Sequence, residues 1–287
     1  TCALPIFTVR AGHEISTIDG FTIRNGSSSY GGGIYCCSGS LTIANNTITG
    51  NSADYGGGGI SCIDFSSPTI ANNTITGNSA DDGGGIYCLY AFPTIANTIV
   101  AFNSSGIYNG GTDIPVLRHN CAFGNTAYDC SGVTDPTGTD GNISTDPLFV
   151  QTPDPGPDSV WGTADDDPGD VHLLEVSPCV DTGDNAYVTG DYDLDGNPRV
   201  VDGDVDAVAV VDMGAYEYSP VIEAADFDAD GDVDLADFAQ FARCFNGPEN
   251  PPAPGCEVDA DLDNDDDVDA DDFVIFEQSL AAGGPGA

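Results

Sequence analysis

The sequence has 287 residues, of which 47 are acidic and only five are basic, so its formal net charge is −42. Phosphate-rich partners require Lys and Arg, so this balance excludes nucleic acid and anionic membrane surfaces as partners. No apolar run is long enough for membrane insertion. The charge is uneven, because residues 1–130 hold eight acidic residues and residues 219–287 hold nineteen. The chain opens in mid-repeat without a signal peptide, and we expect a fragment or a processed form.

A repeat dominates residues 15–125. Three copies read STIDGFTIRNGSSSYGGGIYC, LTIANNTITGNSADYGGGGISC and PTIANNTITGNSADDGGGIYC, and two degenerate copies follow. Strands as short as these bury a face only when they stack coil on coil, about 4.8 Å apart. An asparagine closes one Thr-Ile unit in each copy, where it tolerates a left-handed backbone and can bond to the next coil. These asparagines are Asn25, Asn51, Asn78, Asn103 and Asn125.

The repeat predicts which side chains stack inside the coils. Cys36, Cys62 and Cys88 share one repeat position, and no histidine accompanies them at metal-ligand spacing. We therefore predict a buried stack of small apolar side chains rather than a metal or redox ladder. Three isoleucine stacks are expected beside it: Ile18, Ile43, Ile70 and Ile95; Ile23, Ile48, Ile75 and Ile99; and Ile34, Ile60 and Ile86.

Three strand stretches per coil resemble the right-handed parallel β-helix proteins. The GGG-I-x-C and T-I-x-G-N units are similar to the repeats of bacterial surface proteins of the polymorphic outer-membrane type. The resemblance implies a mainly β protein, with a right-handed parallel β-helix, or β-solenoid, over residues 1–130. It implies little about function, because this fold serves lyases, hydrolases, adhesins and passive spacers.

Residues 131–218 lose the repeat and resemble the segment that closes many extracellular β-helix proteins. An irregular cap is expected there, because the last coil would otherwise leave an open sheet edge. Residues 191–202 place Asp191, Asp193 and Asp195 at calcium-loop spacing. Pro198 and Arg199 do not fit such a loop, so a solvated turn is the preferred interpretation and a calcium loop stays open.

Residues 219–287 carry a duplicated acidic loop. The spacing D-x-D-x-D-G-x-V-D-x-x-D supplies oxygen ligands around one calcium ion, with glycine at the sharp turn. Each loop leads into a helical pattern with an apolar stripe, Phe238, Phe241 and Phe245 in the first and Phe273, Phe276 and Leu280 in the second, and the stripes are expected to pack together. The predicted metal ligands are Asp226, Asp228, Asp230, Asp232, Asp234 and Asp237 in the first loop, and Asp261, Asp263, Asp265, Asp267, Asp269 and Asp272 in the second.

A calcium loop followed by one helix, repeated after about 35 residues, resembles type I dockerin. The resemblance implies a small α-helical, EF-hand-like domain with two calcium ions and a cohesin-like partner domain. It places the partner-binding surface at Leu235, Ala236, Ala270 and Asp271. Asp266 stands where the second loop should have glycine, so we expect that site to bind calcium more weakly.

Two pairs of cysteines are disulfide candidates. Cys244 and Cys256 bracket a Pro-rich connection, and we predict a bond between them. Cys121 and Cys130 lie in a less regular stretch and are further candidates.

These features predict an extracellular, secreted or cell-surface bacterial protein that is assembled through its calcium module. The coils are expected to be noncatalytic and to contact a polysaccharide or a cell surface. The alternative is a polysaccharide lyase or glycoside hydrolase of the β-helix class. The residues give this enzyme alternative little support, since the chain has no lysine and the paired acids of a glycosidase are missing from the coils. Arg118 and His119 are the most reactive-looking pair, but a lone histidine is more often structural.

Overall fold

Short parallel strands are the main regular structure of the described residues in the computed structural model. It describes residues 4–10, 17–203, 208–218, 225, 227, 235–248, 250–256, 258, 260–262, 267–274 and 276. The chain forms two compact units, residues 1–219 and 220–287.

The strands are β1 (Phe7–Arg10), β2 (Thr17–Asp19), β3 (Thr22–Arg24), β4 (Ser27–Tyr30), β5 (Ile34–Cys37), β6 (Thr42–Ala44), β7 (Thr47–Thr49), β8 (Ser52–Gly56), β9 (Ile60–Ile63), β10 (Thr69–Ala71), β11 (Thr74–Thr76), β12 (Ile86–Leu89), β13 (Thr94–Ala96), β14 (Ile99–Ala101), β15 (Ile107–Asn109), β16 (Val116–Arg118), β17 (Cys121–Phe123), β18 (Cys130–Ser131), β19 (Phe149–Gln151) and β20 (Asp170–Leu173). A 3-10 helix spans Asn185–Tyr187, and helix α1 spans Leu235–Cys244.

The coils stack into a parallel β-solenoid of about five turns with three long sheets. The first sheet has the order β1-β5-β9-β12-β15-β18, the second β16-β13-β10-β6-β2, and the third β17-β14-β11-β7-β3. Each strand pairs in parallel with its equivalent in the next coil, as with Ile43 beside Ile70. The predicted solenoid fold is therefore confirmed.

The predicted inward stacks form with one exception. The first and third isoleucine stacks and the three cysteines lie in one buried cluster. In the remaining stack Val100, not Ile99, follows Ile75. The fourth copy keeps the spacing of the third, so Ile95 pairs with Ile70 and Asn103 bonds to Asn78, but Thr98 takes the position of Asn73. Its Thr-Ile pair therefore stands one residue earlier, and Ile99 takes the position of Thr74, whose side chain faces the other side of the strand. Ile99 consequently points out of the coil into a second cluster.

Two ladders of buried asparagine run along the solenoid. Asn78 shows the pattern, because its side-chain Nδ2 donates to Ile48 O at 2.8 Å and to Asn103 Oδ1 at 3.0 Å. Its Oδ1 accepts from the backbone N of Asn51 at 3.0 Å. One ladder contains Asn51, Asn78, Asn103 and Asn125, and the other contains Asn46, Asn73, Asn120 and Asn142, with Thr98 at the position between Asn73 and Asn120.

Asn25 is not a member of its predicted ladder. Gly26 donates its backbone N to Asn51 Oδ1 at 2.9 Å, so Gly26 occupies that position in the first coil. Asn25 stands one residue earlier, with φ 63°, where the next two coils have Gly50 and Gly77 in the same left-handed conformation. A left-handed backbone is a shared requirement of that corner, and glycine or asparagine meets it with little strain.

Residues 131–145 lie against the last coil, where a cap would lie. Asn142 continues the asparagine ladder, and Ile143 N donates to Asn120 O at 2.8 Å. The described residues between 147 and 218 (147–203 and 208–218), here called the covering segment, instead run along the outer face of the third sheet. Ala215 N donates to Thr74 Oγ1 at 2.9 Å, and Trp161 is buried against Gly77. The sequence did not predict this second layer.

A left-handed corner between the second and third sheets attaches the covering segment. Four residues there have φ between 47° and 54°, and their side chains reach one backbone carbonyl per coil. Residues 182–189 therefore run back along the solenoid in step with the coils. The contacts are His119 with Thr182 at 2.8 Å, Asn97 with Asp184 at 3.0 Å, Asn72 with Tyr187 at 3.4 Å and Asn45 with Thr189 at 2.8 Å.

The second unit has a phenylalanine core. The rings of Phe241 and Phe276 are fully buried, with centroids 5.3 Å apart, and Phe238 and Phe273 meet at 6.1 Å. Residues 270–274 are helical. The two stripes pack together as the sequence predicts, although Leu280 lies outside the described residues.

Replacing Asn78 by alanine is expected to destabilise the solenoid by about 3 kcal/mol, because several buried backbone groups lose their partners. Urea unfolding followed by circular dichroism measures this loss. Asn25→Gly is the matched control at the neighbouring corner position and should change stability by less than about 0.5 kcal/mol, because that corner accepts glycine. Equal unfolding midpoints for the two variants would refute the structural role of the ladder.

Candidate metal centre

Three carboxylates of the second acidic loop converge. One ligand oxygen from each of Asp267, Asp269 and Asp272 lies within 4.8 Å of the other two. Asp272 is fully buried, and the other two side chains are no more than 9% exposed. In the described part of the chain, no other group of three His, Cys, Asp or Glu side chains converges in this way.

Backbone hydrogen bonds fix the carboxylate of Asp272 at the start of its helix. Asp272 Oδ1 accepts from Leu262 N at 2.6 Å, and Oδ2 accepts from Asp269 N at 2.8 Å. The first of these bonds joins the beginning of the acidic loop to its end. The carboxylate thus closes the loop and faces the oxygens of Asp267 and Asp269.

The first half of the unit repeats this closure. Asp237 is fully buried, and its Oδ1 accepts from Phe227 N at 2.7 Å across the same sequence separation of ten residues. Asp237 and Asp272 therefore occupy equivalent places in the two halves. Asp261 is described as well, partly buried at the start of the second loop. The other predicted ligands lie outside the described residues: Asp226, Asp228, Asp230, Asp232, Asp234, Asp263 and Asp265.

The four predicted partner-binding residues are all exposed. Leu235, at the start of α1, is 75% exposed. Ala236, Ala270 and Asp271 are exposed as well. An exposed apolar residue at a helix start is available for contact with another protein.

The two disulfide predictions have different outcomes. Cys244 and Cys256 form a disulfide, which spans the Pro-rich connection. Cys121 and Cys130 are free thiols, on β17 of the third sheet and β18 of the first. They are therefore not bonded to each other, and that part of the disulfide prediction needs correction. Cys121 faces the outer cluster beneath the covering segment, whereas Cys130 packs against the solenoid interior.

The loop at 191–202 does not gather its acids around a cation position. Asp193 is buried, and its Oδ1 accepts from the backbone N of Asp195 at 3.0 Å and of Asn197 at 2.8 Å. Its Oδ2 accepts from Glu217 N at 3.0 Å. Most residues of this turn are exposed, as the solvated-turn interpretation expects, but Asp193 is buried and protein donors occupy its carboxylate.

Arg199 lies at the centre of a buried charge cluster. It is 1% exposed, and its Nη1 lies 3.1 Å from Glu217 Oε1. Burial, followed by the charge of Asp212, raises the pKa of Glu217 to about 9. Burial likewise raises the pKa of Asp212 to about 7. The guanidinium of Arg199 thus lies among several buried carboxyl groups. Asp212 and Glu217 keep their protons to a higher pH in the folded protein than in the unfolded chain.

His172 is a polar site that the sequence did not single out. It lies in β20 between two carboxylates, with Nδ1 against Asp170 and Nε2 2.7 Å from Asp195 Oδ2. Partial burial lowers the pKa of His172, but the two carboxylates outweigh that effect and leave it raised. The signal that sequence reasoning missed is Asp170-x-His172, which places two polar side chains on one face of a strand.

Arg118 and His119 have structural partners. Arg118 Nη1 lies 3.4 Å from Asp140, and both side chains are about half exposed. His119 holds the left-handed corner and contacts the covering segment. These positions account for the pair without a catalytic role.

Raising the pH from 6 to 9 is expected to destabilise the solenoid unit. Asp212 and Glu217 bind protons more tightly in the folded state than in the unfolded chain. Their stabilising contribution is complete below the ordinary carboxyl pKa near 4 and is lost as the pH passes about 7 and then about 9. Each released proton changes the unfolding free energy by up to about 1.4 kcal/mol per pH unit. Urea midpoints at several pH values measure the slope.

Glu217→Gln should flatten this slope between pH 7 and 9, because it removes one of the two titrations. Glu175→Gln, at an exposed position, is the control and should leave the slope unchanged. Stability that is constant from pH 6 to 9 in the unaltered chain would contradict the proton-holding cluster.

Comparison with known proteins concerns the solenoid. A family described as a protein of unknown function, DUF1565, matches residues 7–145, just under half of the chain. That family is of the right-handed β-helix repeat type. No curated protein and no solved structure gives a significant match. Among the described residues, no helix is long and apolar enough to cross a membrane. Over residues 7–145 the chain is thus similar to a β-helix repeat family, in agreement with its parallel β-solenoid.

Proposed function

We propose that residues 220–287 are a calcium-binding, dockerin-like attachment module and that the solenoid unit is the noncatalytic cargo it attaches. The protein acts outside the cell, secreted or at the cell surface. The observation that carries this proposal is the convergence of Asp267, Asp269 and Asp272 within one acidic loop.

Calcium is the ion that this oxygen set suits best. It takes six to eight hard oxygen ligands, and the three aspartates stand at positions 7, 9 and 12 of a twelve-residue loop. No histidine or free cysteine lies in residues 219–287 to favour a softer metal. An ion here would also offset the repulsion among nineteen acidic residues.

Ion binding would couple to the folding of the module. Asp272 is both a proposed ligand and the acceptor for Leu262 N. An ion that holds the carboxylate in place therefore also holds the closure of the loop, so binding energy becomes folding energy. The equivalent closure by Asp237 supports a second ion in the first loop. The second loop would bind more weakly, because Asp266 replaces its glycine.

A cohesin-like domain is the proposed partner of the module. The support is the exposure of Leu235, Ala236, Ala270 and Asp271, which the dockerin resemblance assigns to the recognition surface. The two halves present different residues, Leu and Ala against Ala and Asp. We therefore expect one docking orientation to be preferred over the other.

A polysaccharide or a glycan-coated surface is the proposed contact of the solenoid. The support is a row of tyrosine rings that crosses the coils. Aromatic faces combine apolar area with a polar hydroxyl, and the acidic charge of the protein favours a neutral glycan over an anionic one. Centroid distances are 5.4 Å for Tyr30–Tyr55, 5.9 Å for Tyr30–Tyr87, 5.4 Å for Tyr87–Tyr108 and 6.3 Å for Tyr108–Tyr128.

Titration of the metal-free full-length chain with calcium, followed by calorimetry, tests the module. We expect two binding events, with Asp272→Asn weakening one of them at least tenfold because a buried ligand charge is lost. Asp271→Asn, at the adjacent exposed position, is the matched control and should bind calcium as the unaltered chain does. Absence of binding at millimolar calcium would refute the proposal, and so would equal affinities for the two variants.

Affinity electrophoresis in gels containing soluble polysaccharides tests the tyrosine row. At least one neutral polysaccharide should retard the protein, and Tyr55→Ala should reduce the retardation several-fold, since Tyr55 is the most exposed of the row at 57%. Tyr192→Ala, at an exposed tyrosine outside the row, is the control. Unchanged mobility in every neutral polysaccharide would contradict the glycan contact.

A further inference from the structure

A cavity lies between the covering segment and the corner that follows the third sheet in the first three coils. Its volume is about 220 Å³. Drug-sized ligands fill about 300–1,000 Å³, so this cavity suits a smaller molecule, on the scale of one sugar ring. The residues that line it include none of the tyrosines of the proposed glycan contact. It is therefore a separate site.

The solenoid side of the cavity is built from left-handed corners. Gly50 and Gly77, with φ 62° and 64°, line it together with Thr49. In the first coil, Arg24 takes the position of Thr49. Asn25 likewise takes the position of Gly50, with φ 63°. A guanidinium and an amide therefore border the cavity at positions where the next coil has only small side chains.

The opposite side of the cavity is a fixed turn of the covering segment. Trp161 is 7% exposed, and a Cβ added to Gly77 would lie 3.3 Å from its Cζ3, so the indole packs directly on that glycine. Asp166 Oδ2 accepts from Gly162 N at 2.7 Å and from Thr163 N at 3.2 Å. Both walls are thus held by contacts within the protein, and the cavity is formed before any ligand enters.

The polar groups that line the cavity include both donors and acceptors. Arg24 and Asn25 are exposed, and in the described part of the chain neither side chain has an ion pair or a hydrogen bond. Asp167 Oδ2 accepts from Gln151 Nε2 at 2.9 Å, and a carboxylate has lone pairs for further donors. The cavity thus offers unused N–H groups beside carboxylate acceptors and an indole edge.

We propose that this cavity binds one neutral sugar unit. A sugar hydroxyl both donates and accepts, so it can bond to the N–H groups of Arg24 and Asn25 and to the carboxylates of Asp166 and Asp167. The C–H groups of the sugar ring would contact the part of Trp161 that lines the cavity. The two carboxylates repel a negatively charged sugar, which selects a neutral one. This site goes beyond the proposed glycan contact of the tyrosine row.

Fluorescence titration of the full-length chain with neutral sugars tests the proposal. Trp161 is the only tryptophan, so indole emission reports this site alone. Glucose, galactose, mannose and N-acetylglucosamine are the probes, and at least one should change the emission saturably with a dissociation constant of about 1–10 mM, as expected for so small a ligand. Glucuronate should bind more weakly than glucose. Tighter binding of glucuronate would overturn the neutral-sugar assignment.

Saturation-transfer NMR with the same sugars detects binding even when the indole emission does not respond. The absence of both a saturable emission change and saturation transfer, for every sugar in a folded sample, would overturn the proposal. The disaccharide of a sugar that binds distinguishes two sources. Equal or tighter binding of the disaccharide indicates the end of a glycan chain, whereas its exclusion indicates a free sugar.

Two variants locate the bound sugar. Arg24→Ala should weaken binding by about tenfold, because charge-assisted hydrogen bonds are lost. Ala164→Leu, at an exposed residue that lines the cavity, should block binding by filling the space. Arg10→Ala, at an exposed arginine of the first sheet, is the matched control and should bind as the unaltered chain does. Equal binding by all three variants would overturn the site.

The outcome is separable from the proposed function. Removal of calcium with a chelator and the Tyr55→Ala change should both leave the response of Trp161 unchanged, because neither the acidic loops nor the tyrosine row lines the cavity. Loss of the response in either case would show that the sugar binds elsewhere and would overturn the assignment to this cavity.

Discussion

The structure of the solenoid depends on one interaction, the hydrogen bonds that a buried asparagine makes to the coil on either side of it. A coil has only short strands, so each turn between sheets leaves backbone groups that no strand partner satisfies. Asn78 supplies donors to Ile48 O and Thr76 O, and its own Oδ1 accepts from Asn51. The side chain thus replaces the missing backbone partner at the corner and fixes the register of the neighbouring sheets.

The covering segment forms a second layer outside the third sheet, and it is attached at the same corner positions that turn each coil. The left-handed corner that turns each coil also points a side chain outward, and residues 182–189 take up one such side chain per coil. The outward faces of the third sheet then become interior, which explains why Ile99 and Cys121 are buried outside the coil. Arg199 and the acidic side chains around it are buried in this layer. The stability of the layer therefore depends on proton binding, whereas that of the apolar solenoid interior does not.

The local repeat made most of the solenoid predictable. Spacing alone identified the isoleucine stacks, the cysteine stack and the phenylalanine stripes of the second unit. Two errors came from matching the motif and not the position: in the fourth copy Thr98 stands at the position of Asn73, which places Ile99 beside Thr74, and the first copy has Gly26 where an asparagine was expected. The covering segment and the buried Arg199 cluster join residues far apart in sequence. A repeat pattern in the sequence cannot predict contacts of this kind. The candidate metal centre is intermediate, because the loop spacing predicts Asp267, Asp269 and Asp272 as ligands but could not show that their oxygens converge.

The central claim is that calcium organises the second unit while the solenoid is complete without it. Hydrogen exchange of the full-length chain, followed by mass spectrometry with and without calcium, tests this claim most directly. The account predicts a gain in amide protection confined to residues 225–276, greatest around Leu262 and Asp269, whose backbone N–H groups bond to Asp272. Unchanged exchange in those residues, or a comparable gain across the coils of residues 17–145, would contradict it.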